Sequence, residues 1–113
     1  MKLPNSESAI VAREKIADYL LNSAHPDNGG KAAFFVSCGF RQENWQIMAD
    51  AFLLLARTAE VAKSVETFHG SKYIVEGRLE TPSGKLPTVR TVWIVDRGTS
   101  SPRLVSAYPG QEY

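Results

Sequence analysis

The chain has 113 residues and a mass of about 12.5 kDa. Its 43% hydrophobic and 22% charged residues are an average balance for a soluble globular protein and fit one domain spanning 1–113. No apolar run approaches the ~18–20 residues of a membrane-spanning helix, the opening Met-Lys-Leu-Pro-Asn lacks the apolar core of a secretory signal, and the hydrophobic content is too high for a disordered tail. Thirteen basic against twelve acidic residues leave a net charge of +1, which removes any bulk electrostatic case for nucleic acid.

Ala, Leu and Glu dominate up to about residue 62. Residues 13–22 read as a helix with Ile16, Tyr19 and Leu20 on one side, and the breakers Asn22, Pro26, Asn28, Gly29 and Gly30 then make a loop. Lys31–Cys38 is a short second helix, stopped by Gly39 as a left-handed C-cap. From Gln42 to about Ala62, Trp45, Met48, Ala49, Phe52, Leu53, Ala56 and Ala59 follow the spacing of a buried helical stripe.

Val, Thr and Tyr take over afterwards. Ser64–Phe68 is a weak strand candidate. Lys72–Glu80 is a strong one, with Tyr73, Val75 and Leu79 apolar and Glu76, Arg78 and Glu80 polar between them. Pro82-Ser83-Gly84 turns the chain and Thr88–Val95 returns, which makes a hairpin. Arg97–Pro102 is a polar loop, Arg103–Ala107 the last strand, and Pro109 and Gly110 end it. Helices first and strands second is an α+β pattern: about three N-terminal helices packed on one face of a three- to four-stranded antiparallel β-sheet.

Strand alternation sorts residues between the covered and the open face of that sheet. With Val92, Ile94, Val105 and Ala107 inward, the open face carries Glu76, Arg78, Thr91, Trp93, Ser106 and Tyr108. A register slip of one residue, or a β-bulge, exchanges the faces and turns Trp93 into a core residue.

Chemistry concentrates in the stretch from Tyr19 to Phe35. His25 follows the first helix, Pro26 stiffens the chain, two glycines let backbone approach a ligand, and Lys31 opens the next helix beside free N–H groups, a candidate anion site. The Gly-x-x-x-x-Gly-Lys-Ser/Thr spacing of a P-loop is missing. His69 reads as a turn residue. Two histidines, one cysteine and scattered carboxylates give no metal-ligand spacing, and a Ser106–His25–Asp triad lacks a Gly-x-Ser-x-Gly elbow. Cys38, alone and in an apolar stretch, reads as a buried filler compatible with a reducing compartment.

Several segments resemble a known family. Lys-Leu-Pro-Asn at the start, Tyr19-Leu-Leu-Asn-x-x-His25-Pro-x-x-Gly-Gly-Lys31-Ala-x-x-Phe, Val89-Arg90-Thr91-x-Trp93-Ile-Val and Pro102-Arg103-Leu-Val-Ser106-Ala-Tyr108-Pro are similar to a small bacterial domain family without established function. It occurs as standalone proteins and as C-terminal modules of polymorphic toxins. Its toxin-borne relatives resemble the barnase–EndoU–colicin–RelE group of metal-independent ribonucleases. Ser106-Ala-Tyr108-Pro resembles the Thr/Ser-x-Tyr-Pro ending of EndoU-like toxins, and Thr91-x-Trp93 the Ser-x-Trp strand of colicin D-like tRNases. The sequence departs from the colicin D pattern in one respect: lysines cluster beside the histidine there, whereas Lys31 stands six positions from His25.

The resemblance implies a cofactor-free, metal-free bacterial endoribonuclease, acting in the cytoplasm on RNA such as tRNA and paired with a cognate immunity or other partner protein. RNA supplies its own nucleophile, the 2′-OH, so cleavage needs a base, an acid and cationic stabilisation. The expected catalytic set is His25, Lys31, Thr91, Ser106 and Tyr108, with Arg78, Arg90 and Trp93 binding substrate. His25 transfers protons, since histidine titrates near neutrality. Lys31 and the arginines neutralise phosphate, Ser106 or Thr91 hydrogen-bonds it, and Trp93 and Tyr108 stack on bases. The balanced charge counts against this unless basic residues gather in a local patch. The alternative is a non-enzymatic module that uses the same scaffold to bind a partner protein.

Overall fold

The structure is a computed structural model that describes residues 1–26 and 30–110; Asn28 and Gly29, expected in the loop before the second helix, lie outside the described residues. Helix α1, Arg13–Lys15, runs directly into a wider π-helical segment, Ile16–Leu20, followed by α2, Lys31–Ser37, and α3, Trp45–Thr58. Short 3₁₀ turns, Ser6–Ser8 and Gln42–Asn44, precede the first and last of these. Four strands follow, β1 Val61–Thr67, β2 Gly70–Arg78, β3 Thr88–Asp96 and β4 Arg103–Pro109. They form one antiparallel sheet in the order β1-β2-β3-β4. The expected α+β class, helices before strands, is the observed one. Among the described residues no helix is long and apolar enough to cross a membrane.

Helix α3 forms because its apolar residues recur at helical spacing with no breaker between them. Met48, Ala49, Phe52, Leu55 and Ala56 are buried, and this stripe lies against the sheet at β2. Its approach is close: a Cβ on Gly77 would sit 2.9 Å from Leu55 Cδ1 and 3.0 Å from the Ala59 Cβ. The helix stops at Thr58 rather than near Ala62, because Ala59 is already extended and the next residues are taken by strand pairing. The N-terminus fixes that point, with the Met1 ammonium 2.9 Å from Glu60 Oε2 and the Val61 N–H donating to the Met1 carbonyl at 2.8 Å.

Helix α2 ends at Gly39, whose φ of +99° is left-handed. Glycine is also required there by space, since a Cβ would lie 3.0 Å from the Pro82 Cβ. The Cys38 carbonyl accepts from the Ser83 N–H at 3.1 Å, which docks the 79–87 connection onto the end of α2. Phe35 is the hub of an aromatic cluster, meeting Phe34, Phe40 and Phe52 edge to face. Cys38 is buried beside it, as a packing residue.

The sheet departs from the simple alternation in β3. Thr91 and Trp93, expected outward, are completely buried on the helix-covered face. The register aligns Val75, Thr91 and Ala107 across three strands, and Tyr73, Trp93 and Leu104 beside them. The physical reason is mutual satisfaction of polar groups. The Trp93 Nε1–H donates to Thr91 Oγ1 at 2.8 Å, and the Thr91 hydroxyl donates to the Val75 carbonyl at 2.9 Å. An indole N–H accepted by a hydroxyl whose own proton goes to a backbone carbonyl enters an apolar core at little cost, and the large indole gains most from burial. Val92 and Ile94 therefore take the outer face.

Strand β4 carries a bulge. Ser106 pairs with Val92 and Leu104 with Trp93, leaving Val105 as the extra residue. Leu104 and Ala107 both point inward despite the odd spacing, and Val105, expected in the core, is only half-buried. Ser106 and Tyr108 face outward as expected.

Two substitutions test this core. Phe52→Ala should cost roughly 3–5 kcal/mol, as for other large buried aromatics, and Thr91→Val, which leaves the buried Trp93 N–H unpartnered, roughly 1–3 kcal/mol. Urea unfolding measures both. An unaltered midpoint for Thr91→Val would contradict the buried hydrogen-bond pair.

Candidate active site at the β4 edge

The site begins with the irregularity in the first helix. The Leu21 N–H reaches back to the Ile16 carbonyl at 2.9 Å, an i→i+5 bond that widens the turn. Ile16, Ala17 and Leu20 stay in the core while Tyr19 is carried to the rim, half-buried beside β4. The Gln42 amide donates to the Ala17 carbonyl at 2.7 Å and holds the wide turn in place.

Three polar side chains converge there from separate elements. Lys31 Nζ, at the start of α2, donates to the Tyr19 hydroxyl at 2.8 Å and to Ser106 Oγ at 3.0 Å. The two hydroxyls are 3.4 Å apart. The His25 ring packs edge-on against Tyr19, centroid to centroid 5.0 Å. Beyond them Tyr108 lies between two cations, with Lys31 Nζ 5.6 Å and the Arg90 guanidinium 5.8 Å from its ring centre, distances at which the ring quadrupole attracts both. Arg90 Nε is 3.0 Å from Glu76 Oε2, close enough for Coulombic attraction, but its N–H is not aligned for a hydrogen bond.

Of the residues singled out in the sequence, the fold thus gathers His25, Lys31, Ser106, Tyr108 and Arg90. Thr91 and Trp93 are excluded, sealed in the core on the opposite face of the sheet. Arg78 is exposed two positions beyond Glu76 on β2 and takes no part in the Tyr19 cluster. His69 occupies the β1–β2 turn, its N–H donating to Thr67 Oγ1 at 3.2 Å. Tyr19 was missed by sequence reasoning, which placed it with Ile16 and Leu20 on an apolar helix stripe; only the π-helical turn separates it from them. An apolar groove lined by Ile47, Ala51, Leu54 and Pro82 between α3 and the 79–87 loop is a separate feature.

The electrostatics of this edge favour anions. Burial is the strongest single influence on the Tyr19 phenol and opposes its ionisation. Hydrogen bonds from Lys31 and Ser106, with the charges of Lys31 and Lys15, outweigh it and hold the phenol below the usual tyrosine value. The outer face of the sheet is basic as well. By strand register it carries Lys63, Lys72, Arg78, Arg90 and Arg103, and Lys31 joins them at the rim. The carboxylates on that face, Glu76 and Asp96, are each ion-paired, with Arg90 and Arg103. A net charge of +1 therefore conceals a polarised molecule. Among the described residues no cluster of three or more His, Cys, Asp or Glu side chains is placed to hold a metal ion.

The Tyr19 phenol should ionise at lower pH than an ordinary tyrosine, and Lys31→Met should move that transition upward by removing the nearest cation. Phenolate ultraviolet absorbance, taken as the difference from Tyr19→Phe, reads it directly. An unmoved transition would mean that Lys31 does not act on the phenol.

A comparison with curated proteins finds no match. Among solved structures, a chain from a "Contact-dependent growth inhibition toxin - immunity protein complex from Klebsiella pneumoniae 342" shares the fold, with a TM-score of 0.75 at 22% identity over 95% of this chain and 97% of that one. The model of a domain of unknown function, DUF6883, matches residues 2–111; the chain belongs to that family.

Proposed function

We propose that this chain is a toxin-type, metal-independent endoribonuclease domain whose active site is the His25–Tyr19–Lys31–Ser106 cluster. The convergence of Lys31 on two hydroxyls, 2.8 and 3.0 Å away, beside an imidazole is the observation that carries the reading. RNA cleavage through the 2′-OH asks for a proton acceptor, cationic neutralisation of the phosphate and a hydrogen-bond donor to it, and these are the groups assembled. The neutral imidazole of His25 takes the 2′-OH proton. Lys31 neutralises the phosphate as charge builds on it, Arg90 adds positive field from behind Tyr108, and Ser106 donates to a non-bridging oxygen. Tyr108 holds the two cations together against their mutual repulsion, a different part from the stacking surface its sequence context suggests. The basic outer face supplies the local patch that net charge obscures, a track for a phosphate backbone. A toxin role, with a cognate immunity protein as partner, follows the likeness in fold to a chain from a toxin–immunity complex.

Purified protein incubated with total RNA in EDTA should cleave it, and His25→Ala should reduce the rate by roughly 10²-fold or more. Intact RNA at high protein concentration would overturn the reading. A second reading, a binding module, draws on one observation: β1 lies at the sheet edge, exposed over nearly its whole length, and an open edge invites pairing with another chain. It is selected if RNA stays intact while a partner adds a strand there.

A further inference from the structure

Resting on the ribonuclease reading, we infer that Tyr19 is the general acid of this site and delivers its phenolic proton to the leaving 5′-oxygen. Cleavage needs two proton transfers at one phosphodiester. As the 2′-oxygen forms its bond to phosphorus, its proton passes to His25. As the bond from phosphorus to the 5′-oxygen breaks, that oxygen must gain a proton to leave as an alcohol. The products are a 2′,3′-cyclic phosphate and a 5′-hydroxyl, and proton exchange from imidazolium to phenolate through solvent resets the pair.

The geometry singles out Tyr19 for the second transfer. Its ring is in edge-to-face contact with that of His25, 5.0 Å centroid to centroid, so acid and base stand side by side at one rim. Ser106 is an alcohol and no stronger an acid than the group it would protonate. A guanidinium is too weak an acid for the task, which excludes Arg90. Lys31, on giving up a proton, would withdraw positive charge from the phosphate when it is most needed. Tyr19 donates without that penalty, and its hydroxyl is already bonded by Lys31 Nζ at 2.8 Å. That contact is an ordinary charge–dipole hydrogen bond before transfer and an ammonium–phenolate bond after it. It strengthens as the reaction proceeds, which is the property that lowers a barrier.

Among the described residues, the charged and titratable groups seen facing the phenol are Lys15 from its own helix, His25 from the following loop and Lys31 from α2. Arg90 and Glu76 lie behind Tyr108. Burial opposes ionisation of the phenol, and the hydrogen bonds from Lys31 and Ser106 with the charges of Lys31 and Lys15 outweigh it and lower the Tyr19 titration. An acid must be protonated to act, so the rate falls as pH rises through that transition.

The test uses two oligonucleotides, one ordinary RNA and one with sulfur in place of the scissile 5′-oxygen, since a thiolate leaves without a proton. On ordinary RNA, Tyr19→Phe should lose roughly 10²-fold in kcat with KM little changed, and lose the alkaline limb of the wild-type pH profile. On the sulfur substrate it should match the wild type. Equal defects on both substrates, or none on either, would overturn the assignment and leave the ribonuclease reading intact. Failure of the wild type to cleave either substrate would remove both. A fluorinated tyrosine at position 19, more acidic than the natural residue, supplies a second measurement with the ring in place. The alkaline limb should move to lower pH, and an unmoved limb overturns the assignment.

Discussion

The hydrogen bond from the Trp93 indole to the Thr91 hydroxyl, 2.8 Å long and fully buried, decides which side of β3 is which. Side chains on a strand alternate with a period of two, so fixing Trp93 inward fixes every other residue of that strand. Arg90 is thereby placed outward, opposite Glu76 on one side and Tyr108 on the other. Without that pair, the more apolar Val92 and Ile94 would compete for the core. The cation row on which the outer face depends would then be turned against the helices.

The rest of the site is made by two local departures from regular geometry. The π-helical turn displaces Tyr19 from the stripe formed by Ile16, Ala17 and Leu20. The bulge at Val105 resets β4 so that Ser106 and Tyr108 share a face with Arg90. Each inserts one residue's worth of mismatch into an element, one in a helix and one in a strand. Lys31 bridges the results because α2 starts beside the β4 edge, and its flexible stem reaches two hydroxyls at once.

The sequence made the element order, the α3 core and most of the cluster legible. His25, Lys31, Ser106, Tyr108 and Arg90 stand out in the sequence itself, from a loop, a helix start and two strands. What was not legible follows from the same physics. Thr91 and Trp93 look less suited to a core than Val92 and Ile94 when counted singly, because a hydroxyl and an indole N–H each carry a burial cost. That cost vanishes only as a pair, and a pair interaction is invisible to alternation. Tyr19 was hidden because helical spacing assumes a constant turn, and charge composition hid the basic face because it sums over the surface instead of mapping it.

Tyr19 and Ser106 are 87 positions apart in the chain, and this separation has a kinetic consequence. Contacts between distant residues form late, after the intervening chain has paid the entropy of loop closure. The helices and the β2–β3 hairpin need only local contacts, but the cluster cannot exist until β4, the last strand, has docked at its edge. A chain emerging from a ribosome, or threading unfolded through a narrow passage, carries all but the final strand before it carries an assembled site. Order of folding thus makes the Tyr19–Lys31–Ser106 cluster the last feature this molecule assembles.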